Sequence, residues 1–213
     1  MSKPKAEVID KNHLWNKQIS PSVVYKQMVS DLLLGRFSHD KSNGNNPRKL
    51  AILVIALRNG CRRHEAVEAY NKYVKSRKLY KENDESKRWV QVVVEKKGYI
   101  KPDKKVISKK AIDWKRKDGT YVKRILTYRR VIIPSCIPHD LGEYKSPEYN
   151  IWDFSNYYYH WNPHTLRYAF ITKSSETLMP QIIAKITGHS SLQMIEEYVS
   201  EDKANKALAE FKP

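Results

Sequence analysis

Two β-branched runs limit what this chain can fold into. WVQVVVE at Trp89–Glu95 and VKRILTYRRVII at Val122–Ile133 alternate as strands do, whereas the other long apolar stretches repeat at helical spacing. The pattern predicts one antiparallel β-hairpin set into an otherwise helical domain, a mostly α, α+β fold. Lys96-Lys97-Gly98 marks the turn that leaves the first strand.

The helices announce their ends. Ser20 or Ser22 can cap a helix over Pro21–Leu34, with Val23, Val24, Met28, Leu32 and Leu33 as its apolar stripe and Gly35 closing it. HDKSNGNNP is a loop, and Leu50–Arg58 is an apolar helix stopped by Asn59-Gly60. The next helix starts around His64 and carries Ala66, Val67, Ala69 and Tyr70. Residues Tyr73–Ser86 and Ile137–Trp161 read as loop-like, the first charged and the second aromatic, ending in SNYYYHW. Asn162 can cap a helix opened by Pro163. Pro180 opens another, with Ile182, Ile183 and Ile186 on its buried side and Gly188 as its left-handed stop. Ser190 or Ser191 can cap a further short helix that places Tyr198 near its far end, and Ala204, Ala207, Leu208 and Phe211 continue at helical spacing. The organisation expected is a basic tail over 1–20 and one domain over 21–213, with the hairpin at about 89–133 and the last helices at about 180–213.

The formal charge of +17 directs attention to a polyanion. Most of it is local: residues 96–130 hold 14 Lys or Arg against 3 Asp. Lys96, Lys101, Lys104, Lys105, Lys115, Arg116, Lys117, Arg129 and Arg130 are therefore candidate contacts to the phosphates of double-stranded DNA, with an affinity that falls as salt rises. A membrane is the competing polyanion, but the apolar run LAILVIAL is far short of the ~20 residues that span a bilayer. MSKPKAEVIDKNH lacks the apolar core of a signal peptide, so the expected place is the cytoplasm, on nucleoid or mobile-element DNA. Cys61 and Cys136 form no CxxC pair and fit neither a disulfide framework nor a zinc site.

Asn162–Val199 holds the polar residues that packing does not demand. His164 and Arg167 are three apart and share a helical face; His189 follows a Gly turn 22 residues after Arg167, and Tyr198 comes nine residues later. Arg62 falls in the tight junction between two apolar helices, where a cation would be fixed in direction. Two arginines suit the non-bridging oxygens of a phosphodiester, and a phenol with a neighbouring imidazole suits nucleophilic attack. No metal is expected: HEAVE ends in Glu68 rather than His, and Pro163 interrupts His160 and His164 with no third ligand at metal spacing.

HTLR, then ITGH, then the tyrosine closely resemble the C-terminal motifs of the tyrosine recombinases, or phage-type integrases. RNGCRRHEAVEA is similar to the first-arginine motif of that family, through Gly60, Arg62 and Glu65, with Arg63 as the register alternative. The resemblance runs from about Pro21 to the end and implies the family's catalytic-domain fold, without the N-terminal core-binding domain of most members. It implies a catalytic hairpin lysine ahead of a glycine, which Lys97 matches best and Lys96 second, although this hairpin is longer than usual. Glu65 by implication supports the active-site histidine or arginine. Tyr198 is then the nucleophile, His164 the general base, His189 a donor to a phosphate oxygen, and Lys97 the acid for the leaving 5′ oxygen. The implied product is a 3′-phosphotyrosyl link that conserves bond energy, so no cofactor, ATP or Mg²⁺ is expected. The implied assembly is a tetramer on DNA, with the C-terminal helix packed on a neighbouring subunit. Two alternatives stay open, a type IB topoisomerase-like relaxing enzyme and a non-catalytic DNA-binding protein derived from an integrase.

Overall fold

The computed structural model describes residues 20–37, 45–100, 114–115, 117, 119–160 and 163–189. Its elements in chain order are α1 (Pro21–Leu33), α2 (Asn46–Asn59), α3 (Arg63–Lys75), α4 (Arg77–Tyr80), a 3-10 turn at Glu85–Lys87, β1 (Trp89–Ile100), β2 (Trp114–Lys115), β3 (Tyr121–Ile132), α5 (Tyr149–Tyr159), α6 (Pro163–Ser174) and α7 (Pro180–Thr187). β1 and β3 pair antiparallel from Trp89↔Ile132 to Ile100↔Tyr121, and β2 adds to the far edge of β3. The described residues are mostly helical with one small antiparallel sheet, which is the α+β class.

The main core is built around α2. Leu50 to Leu57 are each at most 4% exposed, because α1, α3, α5, α6 and β3 surround the helix. A helix apolar on every side has no other stable place than a core. Asn59 then ties α2 to the sheet: its side chain donates to the Ile132 carbonyl and accepts from the Ile132 N–H, both at 2.8 Å. That two-way bond fixes where β3 ends relative to the end of α2.

Several expectations change. The turn expected at Lys96-Lys97-Gly98 is strand: Gly98 pairs with Lys123 and β1 continues to Ile100, because an unbroken ladder carries the glycine in extended backbone. α2 begins at Asn46, four residues before the first apolar position, since Pro47 is tolerated in a first turn whose N–H groups lack helical partners. The charged stretch after Tyr73 contains the end of α3, α4 and the 3-10 turn. It is held by Tyr73, which is 0% exposed and donates to the Ile137 carbonyl at 2.9 Å. The aromatic stretch contains α5, because Phe37 packs edge to face on Phe154 and Tyr158 of that helix, with centroids 5.2 and 4.6 Å away, a contact no local pattern reveals. On α1 the core takes Val24, Met28 and Leu32, four apart, and leaves Val23 and Leu33 outside. On α7 it takes Ile183, Ala184 and Thr187, while Ile182 and Ile186 line an open groove.

Candidate active site

The site begins where α2 stops. Gly60 ends the helix with φ +59, and a side chain there would overlap the ring of Phe170. Cys61 is buried, and Arg62 is the extended residue that caps α3. Glu65, three residues on, reaches back to accept from the Arg62 N–H at 3.0 Å and lies 3.4 Å from Arg62 Nη1. Glu65 is 0% exposed, whereas the Arg62 side chain keeps 34% of its surface open. The junction thus anchors one end of Arg62 and leaves the other facing solvent.

Arg167, on α6, is 1% exposed. Its Nη1 donates to the Gly60 carbonyl at 2.9 Å, and its Nη2 donates to the Thr187 carbonyl at 2.8 Å. It bridges the C-terminal ends of α2 and α7, where carbonyls left without helical partners favour a cation. Burial, and then Arg62, lower its pKa to about 10, so it remains a cation at neutrality.

His189 follows Gly188, whose φ of +72 turns the chain out of α7. Arg167 Nη2 lies 3.3 Å from Nδ1 and 3.2 Å from Nε2 of the ring. Burial, followed by the positive fields of Arg167, Arg62, His164 and Arg129, pushes the His189 pKa down to about 4. His164 stands one turn before Arg167 at the exposed rim, edge to face with Tyr168. Partial burial, then Arg167 and Arg62, lower its pKa too. Both imidazoles are pushed toward the neutral form, by burial first and then by the same two arginines.

Arg129 belongs to this cluster. The sequence placed it among the phosphate contacts of the ribbon; in the fold it is 8% exposed and turned inward. Its Nη1 is 3.5 Å from Glu65, and its Nη2 donates to the Asn59 carbonyl at 2.6 Å and lies 3.4 Å from Cys61 Sγ. The signal was present: Arg129, Val131 and Ile133 alternate onto one face, and the last two are fully buried. Thr187, also 0% exposed, was missed because it looks like the end of an apolar helix.

The remaining expected residues are distributed differently. Lys97 pairs with Arg124 and Lys96 with Ile125 along the ribbon, which locates their backbone in β1. Lys115 pairs with Tyr121 in β2, Lys117 is exposed, and Arg130 is exposed with its guanidinium 4.2 Å from the Trp89 ring. Lys101, Lys104, Lys105, Arg116 and Tyr198 lie outside the described residues. A groove of about 750 Å³ runs beside the cluster, with Trp89, Tyr128, Phe170, Ile182 and Ile186 on its walls and Arg58, Arg130 and Lys185 at its polar edge.

The chain is similar to a viral protein named as an integrase. That protein, from Acidianus two-tailed virus and named provisionally, is 32% identical over 164 residues, which is 75% of this chain and 54% of the relative. The chain therefore spans about half the length of that relative. An uncharacterized protein of Methanocaldococcus jannaschii is 24% identical over 239 residues, covering 98% of this chain and 93% of its own length. No family model matches the chain, and no solved structure does. Among the described residues no helix is long and apolar enough to cross a membrane, and no group of three or more His, Cys, Asp or Glu could hold a metal ion.

Proposed function

We propose that this chain cuts and rejoins DNA strands through a phosphotyrosine intermediate, as a site-specific recombinase or integrase of the tyrosine recombinase type. The observation that carries the reading is a charge imbalance built into the core. Arg62 and Arg129 pair with a single buried carboxylate, Glu65, whose field also reaches the buried Arg167, beside two imidazoles whose pKa values are pushed down. Burying cations in excess of anions costs stability, and an arriving phosphate repays that cost at the point where charge grows during phosphoryl transfer.

Within this reading each residue has a distinct part. Arg62, half open, and Arg167, held from two carbonyls, take the non-bridging oxygens. Arg129 stays behind them and orients Glu65. Tyr198 attacks phosphorus, His164 receives the phenolic proton, and the new O–P bond forms as the P–O5′ bond breaks. His189 donates to a phosphate oxygen, which requires that the bound anion bring a proton onto the ring. Lys97 gives the 5′ oxygen its proton. The basic ribbon tracks the duplex, residues 21–213 act as one catalytic domain behind the tail 1–20, and recombination requires self-association on DNA, as a tetramer. The viral relative's name supports this class of reaction.

The test is covalent capture. The full chain is mixed with a pool of nicked duplexes of randomised sequence and run under denaturing conditions. A protein–DNA adduct that disappears in Tyr198→Phe supports the reading. Salt-sensitive binding with no adduct overturns it and leaves a DNA-coating protein. Mixing Arg62→Ala with Tyr198→Phe chains restores the adduct only if one subunit lends its tyrosine to another.

A further inference from the structure

Thr187 sits between two acceptors and has one proton to give. Its hydroxyl donates to the Ile183 carbonyl at 2.7 Å and is also 2.6 Å from His189 Nδ1. A carbonyl can only accept, so the hydroxyl proton is committed to Ile183 and the hydroxyl must accept from the ring. Nδ1 therefore carries the proton. On the other side Arg167 Nη2, which donates one N–H to the Thr187 carbonyl, lies 3.2 Å from Nε2 and 3.3 Å from Nδ1, so it meets both ring nitrogens alike and does not select between them. The opposite tautomer leaves Nδ1 facing a hydroxyl with no proton to spare, so the Thr187 contact makes the assignment.

We propose that Thr187 is a positioning residue that locks His189 in the Nδ1–H tautomer, so that the empty site presents its Nε2 as a proton acceptor rather than a donor. The tautomer stands on the hydrogen bonds alone; its catalytic meaning rests on the function proposed above. A ring locked this way can donate to phosphate only after Nε2 has gained a proton, which makes it a second place, beside His164, for the proton of an attacking hydroxyl. Burial and Arg167 keep it neutral until then.

The experiment is ¹⁵N NMR of the full chain labelled at histidine, at pH 7, with the His189 signals assigned by their loss in His189→Gln. The expected result is a protonated-type resonance for Nδ1 and a lone-pair-type resonance for Nε2. Thr187→Val should abolish that preference, and Thr187→Ser should keep it. A wild-type ring protonated at Nε2, or a Thr187→Val ring with unchanged signals, overturns the proposal. Capture of the covalent adduct supplies a second readout. Thr187→Val should form it roughly tenfold or more slowly with DNA affinity unchanged, and Thr187→Ser should restore the rate. A Thr187→Val chain that forms adduct at the wild-type rate overturns the catalytic meaning. If no variant forms adduct while the NMR result holds, the reaction class fails and the tautomer lock stands.

Discussion

Asp31 and Glu65 are both buried carboxylates on helices, 3% and 0% exposed, and their surroundings have opposite designs. Asp31 accepts from Gln27 at 2.9 Å, from Arg36 at 3.1 Å and from Tyr159 at 2.8 Å. One carboxylate meets one guanidinium and two neutral donors, and the Arg36 side chain is 60% in solvent. The account closes, and the network pins α5 to the end of α1. Glu65 faces Arg62 and Arg129 directly and acts electrostatically on Arg167. Here cations outnumber the anion, burial and the arginines lower the pKa of both imidazoles, and among the described residues Arg129 Nε is buried without a hydrogen-bond partner. Around Asp31 the charge is balanced; around Glu65 it is left in excess, and a ligand is expected to complete it.

Removing each carboxylate tests that contrast. Glu65→Ala strands Arg129 in the core and should lower unfolding stability by about 3–5 kcal/mol in urea titration. A loss below ~1 kcal/mol would show that the cluster is solvated and the contrast unreal. Arg62→Ala acts on the open side instead. It should slow adduct formation by roughly 10²- to 10³-fold while the urea midpoint stays near wild type, since its guanidinium is partly exposed. Equal damage to rate and midpoint would make Arg62 a structural residue.

Proton linkage separates the two regions by direction. The folded pKa of His189, about 4, lies below the ordinary 6.5, so the unfolded chain binds the extra proton first. Stability should therefore fall by about 2 kcal/mol as pH drops from 6.5 to 4, less steeply in His189→Gln. Tyr159 behaves oppositely: burial and the bond to Asp31 raise its pKa above 10.0, so this region loses stability as pH rises past that value, less so in Tyr159→Phe. Acid sensitivity that ignores position 189 would break the comparison. The smallest expected effect is Asp31→Asn, about 1–2 kcal/mol by urea titration with adduct formation unchanged, because Arg36 already reaches water.

Much of this was legible in the chain. Gly60 and Gly188 announced the two sharp turns, and His164, Arg167 and His189 stood out by type and spacing because polar groups there do not follow the packing period, whereas Arg62 was singled out by the resemblance of its motif. The ribbon was readable from β-branched alternation, though its length was not: a glycine inside a paired strand looks the same in sequence as a glycine in a turn. α5 was hidden because its tyrosines look like loop aromatics until Phe37 arrives from a distant segment.

The sequence by itself determined which residues carry charge and where α2 and α7 stop, since residue type and the left-handed backbone of a glycine are local properties. Only the tertiary structure decided that Arg129 leaves the set of expected phosphate contacts to stand behind Glu65, that Ile182 and Ile186 stay outside the core, and that Thr187 meets His189. Those outcomes depend on which faces are buried together, and burial is settled between segments far apart in the chain.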